Sequence, residues 1–370
     1  MHRDGELGAV VRRAAQAGTA LSGRRTRRRC RSTGERGGGC VIANVLWLST
    51  GLAALIAGAE LLTRGGTRLA WRLGIRPVLI GLTVVALGTS MPELAVGLWS
   101  SADGEGSLAV GNIVGANIMN MLLILGLSAL LLPLSIEMHS LRFDLPMMTG
   151  AALVLLIVAW DLHVTRTEGL VMLVMGAVYI AVLVQISRNE SRAVKAEFER
   201  EYGPRAMADV RPAPRGRVTL LNDLAWLMGG MAIVVVGAEW LVEGASGIAR
   251  ALGVTEAVIG LTIVALGTSS PELATTVVST LRQERDIAIG NLLGSCVLNT
   301  LVILGATVVS VPGGIGVDPL LVRVDIPVMV LATIVCIPVF VTGRRVGRLE
   351  GLALLAAYLA YMAYLLAVRA

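Results

Sequence analysis

Charged and aromatic side chains are scarce in this 370-residue chain. Charged residues make up 16% of it and aromatic residues 4%, whereas 55% of the residues are hydrophobic and the mean hydropathy is +0.74. So low a charge content excludes an ordinary water-soluble globular protein, in which about a quarter of the residues are charged. We therefore predict a polytopic membrane protein whose spanning helices each contain roughly 20 mostly apolar residues.

The residues that most often build disulfide, zinc or nucleotide sites are also few. The four cysteines, Cys30, Cys40, Cys296 and Cys336, form no CxxC motif, and the three histidines lie at the start of the chain or at loop edges. These spacings indicate neither a disulfide framework nor a zinc site, and no G-x-x-x-x-G-K-[ST] phosphate loop is present. We expect no cofactor, no direct use of ATP, no nucleic-acid partner and no obligate protein partner.

Ten stretches of the sequence are apolar and long enough to cross a bilayer. They are residues 41–62, 77–100, 108–132, 143–160, 168–186, 220–242, 257–281, 287–312, 324–341 and 351–368. The predicted domains are a first group of five helices at residues 41–187 and a second group at residues 220–370. The polar residues 188–219 between them are predicted to form a linker, because some thirty residues cannot bury a core of their own.

Basic residues are distributed unequally between the two sets of loops. Loops after odd-numbered spans contain eighteen Lys and Arg, and the other side contains four once residues 1–40 are set aside. Basic loops stay in the cytoplasm, so we expect the 188–219 linker to be cytoplasmic, both termini to be external, and the protein to lie in the inner (cytoplasmic) membrane. Residues 1–40 are rich in Arg and Gly, and we expect a disordered extension or a segment absent from the functional protein.

The sequence also contains an internal duplication. Residues 81–126 align without a gap to residues 260–305 at a constant offset of 179. Because each copy holds five spans, the second copy enters the membrane from the opposite side. The predicted fold is an all-α polytopic membrane protein with ten transmembrane helices in two inverted five-helix repeats. Such repeats place a binding site near the bilayer midplane, between interrupted helices of both copies.

The motif LGTSxPEL occurs once in each repeat, inside a predicted span. A glutamate at that depth costs about 3 to 15 kcal/mol, so it indicates a functional site. The adjacent proline kinks the helix and frees a backbone carbonyl. Glu93 and Glu272, with the carbonyls of Thr89 and Thr268, offer hard oxygen ligands and two negative charges, which suit one divalent cation such as Ca²⁺.

Polar and small side chains recur every four residues in the third and eighth predicted spans and share one helix face. They are Asn112, Ala116 and Asn120 in the first repeat, and Asn291, Ser295 and Asn299 in the second. The asparagines either bond neighbouring helices together or bind cations. Small-xxx-small glycine pairs, Gly111 with Gly115 and Gly290 with Gly294, are predicted to let helices approach closely.

The paired GTSxPEL and GNxxGxxxxN segments, separated by a basic loop, resemble the alpha repeats of the cation/calcium antiporter superfamily, particularly prokaryotic sodium/calcium exchangers. This resemblance implies that the two glutamates ligate Ca²⁺ and that neighbouring groups form Na⁺ sites. The implied ligands are Ala86, Thr89, Ser90, Glu93 and Asn120 in the first repeat, and Ala265, Thr268, Ser269, Glu272, Ser295 and Asn299 in the second. Ala116 stands where relatives commonly have Ser, and Asn299 where many have Asp, which leaves the Na⁺ stoichiometry open.

The function that these features favour is secondary active antiport of Ca²⁺ and Na⁺, with both ions competing for one site. We expect the partners to be these ions and the lipid bilayer, and we expect protons to compete for the two carboxylates. The resemblance also implies that the first and sixth helices slide to gate access. The nearest alternative is a proton/calcium or potassium-dependent sodium/calcium exchanger.

Two functions of other classes are less compatible with the sequence. An intramembrane hydrolase would use the glutamates as acid and base, but such a pair needs unlike surroundings, and the two motifs are nearly identical. A passive cation channel can use carboxylate rings, but channels usually gain symmetry by oligomerisation. We therefore expect a transporter and not an enzyme.

Two more pairs of acidic residues are related by the repeat. Glu60 and Glu239 are expected either to pair with nearby arginines or helix ends, or to line an ion entrance. Asp144 and Asp325 each lie two residues after an arginine at the start of a span. For this second pair we predict capping of the helix N terminus.

Overall fold

The computed structural model describes most of both predicted repeats. The described residues are 38–73, 77–135, 140–186, 217–252 and 265–369. Nearly all of them are helical, as the apolar composition predicts. The predicted extension at residues 1–40 and the predicted linker at residues 188–219 lie almost wholly outside the described residues.

The first half contains six helices and two very short strands. The helices are α1 (Gly38–Leu73), α2 (Val78–Thr89), α3 (Met91–Ala102), α4 (Gly106–Leu131), α5 (Leu145–Val158) and α6 (Arg166–Ile186). Strand β1 (Leu134–Ser135) precedes α5, and strand β2 (His163–Val164) follows it.

The second half repeats this order. Its helices are α7 (Arg217–Ala251), α8 (Ala265–Thr268), α9 (Ser270–Leu281), α10 (Arg285–Ser310), α11 (Leu321–Val341) and α12 (Arg348–Arg369). Strand β3 (Ile315–Gly316) precedes α11, and strand β4 (Arg345–Val346) follows it. Residues 257–264 of the seventh predicted span lie outside the described residues.

Several helices have the length and hydropathy of membrane spans. Among the described residues there are six, namely α1, α4, α6, α7, α10 and α11, or seven if α2 and α3, joined at a 40° bend, form one span. Helix α5 has 14 residues, fewer than the roughly 20 that a perpendicular span needs. The chain is therefore a helical, multi-pass membrane protein.

Helices α4 and α10 lie at the centre of the molecule. In their most apolar windows, 78% and 83% of the residues are buried, against 28% for α1, α6 and α7. The outer helices thus present their apolar side chains to lipid, while the two central helices are enclosed by protein on nearly all sides. These central helices carry the two asparagine faces that the sequence singles out.

Helices α1 and α7 pack antiparallel through glycines spaced seven residues apart. In α1 these are Gly51, Gly58 and Gly65, which face Leu241, Val234 and Leu227; in α7 they are Gly230, Gly237 and Gly244, which face Leu62, Leu55 and Leu48. A Cβ atom at Gly58 would lie only 2.7 Å from the backbone nitrogen of Val234. The two backbones are therefore in contact, as small residues permit in membrane helices.

Five turns of π-helix lie within, before or at the start of helices in the described part of the chain. Within α2, α4 and α10 they are Gly81–Val85, Met119–Ile124 and Asn299–Leu304, and before α5 and at the start of α11 they are Ser140–Asp144 and Leu321–Asp325. The turns of α4 and α10 occupy equivalent positions of the two repeats and contain Asn120 and Asn299. Such turns are frequent at functional sites.

Two small antiparallel sheets join the halves. Strand β1 pairs with β4, Leu134 opposite Val346, and strand β2 pairs with β3, His163 opposite Gly316. Each sheet takes one strand from each half of the chain, so the two halves are linked at two places.

The predicted helix capping by Asp144 is wrong, since its side chain makes no capping hydrogen bond. The preceding π-helical turn already places Asp144 in helical backbone, with φ −69° and ψ −42°, whereas a capping residue needs extended backbone. Instead, the Tyr179 hydroxyl donates to Asp144 Oδ1 at 3.5 Å, and the Tyr361 hydroxyl donates to Asp325 Oδ1 at 2.8 Å. Both aspartates therefore accept hydrogen bonds from a tyrosine of a later helix.

Candidate functional site

Both PEL motifs lie at a break between two helices. Ser90 separates α2 from α3, and Ser269 separates α8 from α9. Their backbones are nearly the same, with φ −84° and ψ 8° at Ser90 and φ −91° and ψ 8° at Ser269. Pro92 and Pro271 lie in the first turn of the following helix, where the missing N–H costs little. The predicted kinks are thus breaks that start a new helix.

Glu93 and Glu272 are fully buried, one turn beyond these breaks. The hydroxyl of Ser269 donates to Glu93 Oε1 at 3.4 Å. The hydroxyl of Ser90 donates to Glu272 Oε1 at 3.2 Å. Each carboxylate is therefore held by a serine of the other repeat, and the second oxygen of each has no hydrogen-bond partner among the described residues.

The break of the first repeat is also bonded to α10. The hydroxyl of Thr89 donates to Asn291 Oδ1 at 3.2 Å, and Asn291 Nδ2 donates to Thr276 Oγ1 at 3.0 Å. Asn291 thus connects α2 to α9. Bonding neighbouring helices together is one of the two roles predicted for this asparagine.

Asn120 and Asn299 are fully buried in the π-helical turns of α4 and α10. The turn that contains Asn299 packs against α3, which carries Glu93, and the turn that contains Asn120 packs against α9, which carries Glu272. Among the described residues, neither amide atom of Asn120, nor the Oδ1 atom of Asn299, nor the hydroxyl of Ser295 has a hydrogen-bond partner. Each such buried group costs about 1–3 kcal/mol, so their concentration here points to a bound ligand.

Glycines let α10 cross α2 closely enough for these contacts. A Cβ atom at Gly290 would lie 2.5 Å from the carbonyl oxygen of Val78, and one at Gly294 would lie 2.6 Å from that of Leu82. The predicted close approach is confirmed for this pair. A Cβ atom at Gly111, in the first pair, would lie 3.5 Å from the side chain of Leu321, which is an ordinary van der Waals contact. Residues 253–264, which include the repeat counterpart of Leu82, lie outside the described part of the chain.

The remaining predicted residues flank the two breaks. Ala86–Thr89 and Ala265–Thr268 are the last helical turns before Ser90 and Ser269, so the predicted alanine and threonine carbonyls come from the same turn in each repeat. Ala116, the counterpart of Ser295, is buried and offers no hydroxyl. The two halves of the site therefore differ by one oxygen.

Asn117 is a polar residue of this region that the repeat pattern does not reveal. It is buried, and its Nδ2 atom donates to Thr300 Oγ1 at 2.9 Å and to the carbonyl oxygen of Cys296 at 3.3 Å. Its Oδ1 atom accepts from Asn299 Nδ2 at 3.3 Å. Its repeat counterpart is Cys296, so a comparison of the two copies does not single out Asn117. The sequence indicates it only as one more polar amide inside an apolar span.

Glu60 pairs with nearby arginines, which is one of the two roles predicted for it. It forms ion pairs with Arg64 of its own helix and with Arg282, which follows α9. Its repeat counterpart Glu239 is exposed. Glu60 therefore links the C-terminal half of α1 to the residue that follows α9.

The donor set suits hard cations. No group of three or more His, Cys, Asp or Glu side chains that could hold a metal is found in the part of the chain that the structure describes. A cation here would take carboxylate oxygens from only two residues and the rest from hydroxyl, amide and carbonyl groups. Oxygen-only sets of this kind favour Ca²⁺ or similar ions over zinc or copper.

Comparison with known proteins agrees with this chemistry. The profile described as "Sodium/calcium exchanger protein" matches residues 43–185 and 223–367, one segment in each half of the chain. This chain belongs to the sodium/calcium exchanger protein family. The family consists of transporters, so its membership agrees with the prediction of a transporter.

Individual members of the family are similar over nearly their whole length. The inner membrane protein YrbG of Escherichia coli K12 is 33% identical over 319 residues, which cover 86% of this chain and 95% of YrbG. The sodium/calcium exchanger MaX1 of Methanosarcina acetivorans is 30% identical over 348 residues, covering 88% of this chain and 99% of MaX1. The structure of the sodium-calcium exchanger NCX_Mj without Na⁺ and Ca²⁺ matches with a TM-score of 0.74 and 26% identity, covering 88% of this chain and 99% of that one.

Proposed function

We propose that this member of the exchanger family is a secondary active antiporter that exchanges Ca²⁺ for Na⁺ across the cytoplasmic membrane. The observation that carries the proposal is the reciprocal pair of hydrogen bonds from Ser90 to Glu272 and from Ser269 to Glu93. It brings two buried carboxylates, one from each repeat, into one polar region. The similarity to MaX1 and NCX_Mj, both named as sodium/calcium exchangers, supports the choice of ions.

The proposed site uses groups of both repeats. Ca²⁺ is bound by the carboxylates of Glu93 and Glu272 and by the backbone carbonyls of Thr89 and Thr268. Na⁺ is bound by the same carboxylates together with neighbouring oxygens, from Ala86, Ser90, Asn120, Ala265, Ser269, Ser295 and Asn299. Glu93, Glu272, Ser295 and Asn299 each have a buried side-chain oxygen without a hydrogen-bond partner among the described residues, and these oxygens support this assignment.

The proposed architecture has ten spans, and the strand pairs support that number. Paired strands lie on one side of the membrane, so an even number of spans separates them. Among the described residues, three helices with clear span character, α6, α7 and α10, lie between β2 and β3, so we infer that α8 and α9 belong to a further span. That gives five spans between β1 and β4, so we infer that α5 crosses as well.

A further contact concerns the bent pair of α2 and α3, and the basic loops concern the orientation of the chain. The ion pair of Glu60 with Arg282 joins the C-terminal half of α1 to the end of α9, which is compatible with α2 and α3 forming one span. With α12, two inverted repeats of five spans result, at residues 41–187 and 220–370. The basic loops place the 188–219 linker in the cytoplasm and both termini outside, with residues 1–40 as an extension.

The proposed mechanism is competition for shared carboxylates. Ca²⁺ and Na⁺ occupy the proposed site in turn, and the empty site leaves two anions at mid-membrane depth, which disfavours a switch of sides without a cation. Exporting Ca²⁺ against a negative interior costs about 2.3 kcal/mol per charge per 100 mV, and the entry of several Na⁺ offsets this. The tightly packed pair of α1 and α7 is the proposed moving element.

The proposal is tested by Ca²⁺ flux in proteoliposomes. We expect a Na⁺ gradient to drive Ca²⁺ uptake, and we expect Glu93→Gln and Glu272→Gln each to abolish it, because one carboxylate cannot balance a divalent ion. Glu239→Gln, at an exposed glutamate, is the matched control and should transport normally. Normal transport by both site variants would refute the site.

The ion conditions separate the alternatives. Uptake driven by a pH gradient but not by Na⁺ would replace the proposal with proton/calcium exchange. Uptake that needs K⁺ together with Na⁺ would indicate a potassium-dependent exchanger. Ca²⁺ flux that needs no cation on the opposite side would indicate a channel.

A further inference from the structure

We propose that Asn117 is a positioning residue that orients the side-chain amide of Asn299, so that the Oδ1 atom of Asn299 faces the ion site. The inference rests on the proposed function, because it gives Asn299 the role of an oxygen ligand. It concerns a side chain that does not itself belong to the proposed ligand set.

The orientation of the Asn117 amide is fixed by three acceptors. Its Nδ2 atom lies 3.3 Å from the backbone oxygen of Cys296 and 3.6 Å from the sulfur of Met329, and neither atom can donate. The third neighbour, Thr300 Oγ1 at 2.9 Å, uses its own hydrogen on the Cys296 carbonyl at 3.0 Å and is left as an acceptor. Only an NH₂ group fits this position, so the Asn117 oxygen must point the opposite way.

That oxygen determines the orientation of Asn299 in turn. Asn299 Nδ2 donates to Asn117 Oδ1 at 3.3 Å. A reversed Asn299 amide would set two oxygen atoms against each other at this distance, which is repulsive. With its NH₂ group engaged, Asn299 directs Oδ1 away from Asn117, and this buried oxygen has no hydrogen-bond partner among the described residues.

The orientation matters because Asn299 is uncharged. An amide binds a cation through its oxygen only, and its NH₂ group would repel one. For Asn120, the repeat counterpart of Asn299, the position equivalent to Asn117 is Cys296, whose thiol lies beside Asn120, so no second amide orients Asn120. The second repeat thus supplies a preoriented amide oxygen, and the first does not.

The test is a double-mutant cycle on Ca²⁺ binding to the purified full-length protein, measured by isothermal titration calorimetry. Asn117→Leu should weaken Ca²⁺ binding about 10- to 100-fold, as is typical when a group that orients a metal ligand is lost. In an Asn299→Leu background the same substitution should cause no further loss, because the amide that it orients is gone. Asn117→Ala serves if the leucine variant does not fold.

Two measurements separate positioning from a structural role. Thr149→Val removes a buried hydroxyl that donates only within its own helix, to the carbonyl of Leu145, and should leave Ca²⁺ affinity unchanged. Thermal unfolding without ions shows whether Asn117→Leu destabilises the protein. Unchanged affinity in Asn117→Leu, or losses that add up in the double variant, would overturn the inference.

The outcome for Glu93→Gln distinguishes this failure from failure of the proposed function. If Glu93→Gln binds Ca²⁺ normally, the proposed site itself is wrong. If Glu93→Gln loses Ca²⁺ binding while the effects of the Asn117 and Asn299 variants add up, only the positioning role of Asn117 is wrong.

Discussion

The two serines at the helix breaks each hold a glutamate of the opposite repeat. Hydrogen bonds to charged groups contribute about 1.5–3 kcal/mol, so we predict that Ser90→Ala and Ser269→Ala each weaken Ca²⁺ binding roughly 10- to 100-fold. The two losses should be similar, because the hydrogen bonds are reciprocal. Calorimetric titration of the purified variants measures both.

The control for this prediction is Ser270→Ala. Ser270 neighbours Ser269, but its hydroxyl donates to the carbonyl of Leu266 at 2.8 Å, within one turn of the chain. It should retain wild-type affinity. An equal loss in Ser270→Ala and Ser269→Ala would show that the effect comes from altered helix geometry and not from the carboxylate.

Among individual residues, the sequence predicts those that occur at the same position in both copies of the repeat. Glu93 and Glu272 stand out because a carboxylate inside a span is costly and occurs twice at the same position. Asn117 was missed because its counterpart is a cysteine, and because it lies outside the face formed by Asn112, Ala116 and Asn120. Its importance depends on which atoms of Cys296 and Thr300 it meets, and a sequence does not contain those distances.

Among the helices, the contact of α1 with α7 is the most sensitive to added volume. Gly58→Ala would place a Cβ atom 2.7 Å from the Val234 backbone nitrogen, and backbone cannot move aside as a side chain can. We predict a loss of about 1–3 kcal/mol in stability, the usual cost of overpacking. The measurement is thermal unfolding of the detergent-solubilised protein.

Gly229→Ala is the matched control in the same pair of helices. A Cβ atom there meets nothing within 4 Å among the described residues, so unfolding should occur at the wild-type temperature or slightly above it. Equal destabilisation by both alanines would mean that the glycines matter for backbone flexibility and not for close packing.

The positions of the helices were predictable and their interruptions were not. Apolar runs of about 20 residues mark α4, α6 and α10 directly, because the bilayer sets their length. The π-helical turns at Asn120 and Asn299 have no such marker, since they arise from how neighbouring helices pack. The proline in each motif indicates a kink, but only the structure shows that Ser90 and Ser269 are the residues at the breaks.

For the whole molecule, the proposed inversion predicts that equivalent strands lie on opposite sides of the membrane. Ser135 in β1 and Gly316 in β3 hold corresponding positions, and both are exposed. The native cysteines Cys296 and Cys336 are buried. In a variant whose other native cysteines, Cys30 and Cys40, are replaced by serine, a membrane-impermeant maleimide applied to intact cells should label Gly316→Cys and not Ser135→Cys. Both introduced cysteines should react once the cells are opened.

This labelling experiment tests the repeat and not the ion site. Labelling of both positions, or of neither, in intact cells would contradict the odd number of spans in each repeat. The sequence alone predicts the inversion, because each of the two copies contains five predicted spans, an odd number. It does not predict that β1 pairs with β4 and β2 with β3, because those contacts join segments far apart in the chain.

The central claim is that Glu93 and Glu272 share one divalent cation. The most direct measurement is the position of the ion in crystals of this protein soaked with Ca²⁺ or Sr²⁺, located by anomalous scattering. We expect one peak with an oxygen of each glutamate within about 2.3–2.6 Å for Ca²⁺, and slightly farther for Sr²⁺. A peak coordinated by only one of the two glutamates, or a peak elsewhere with none between them, would contradict it.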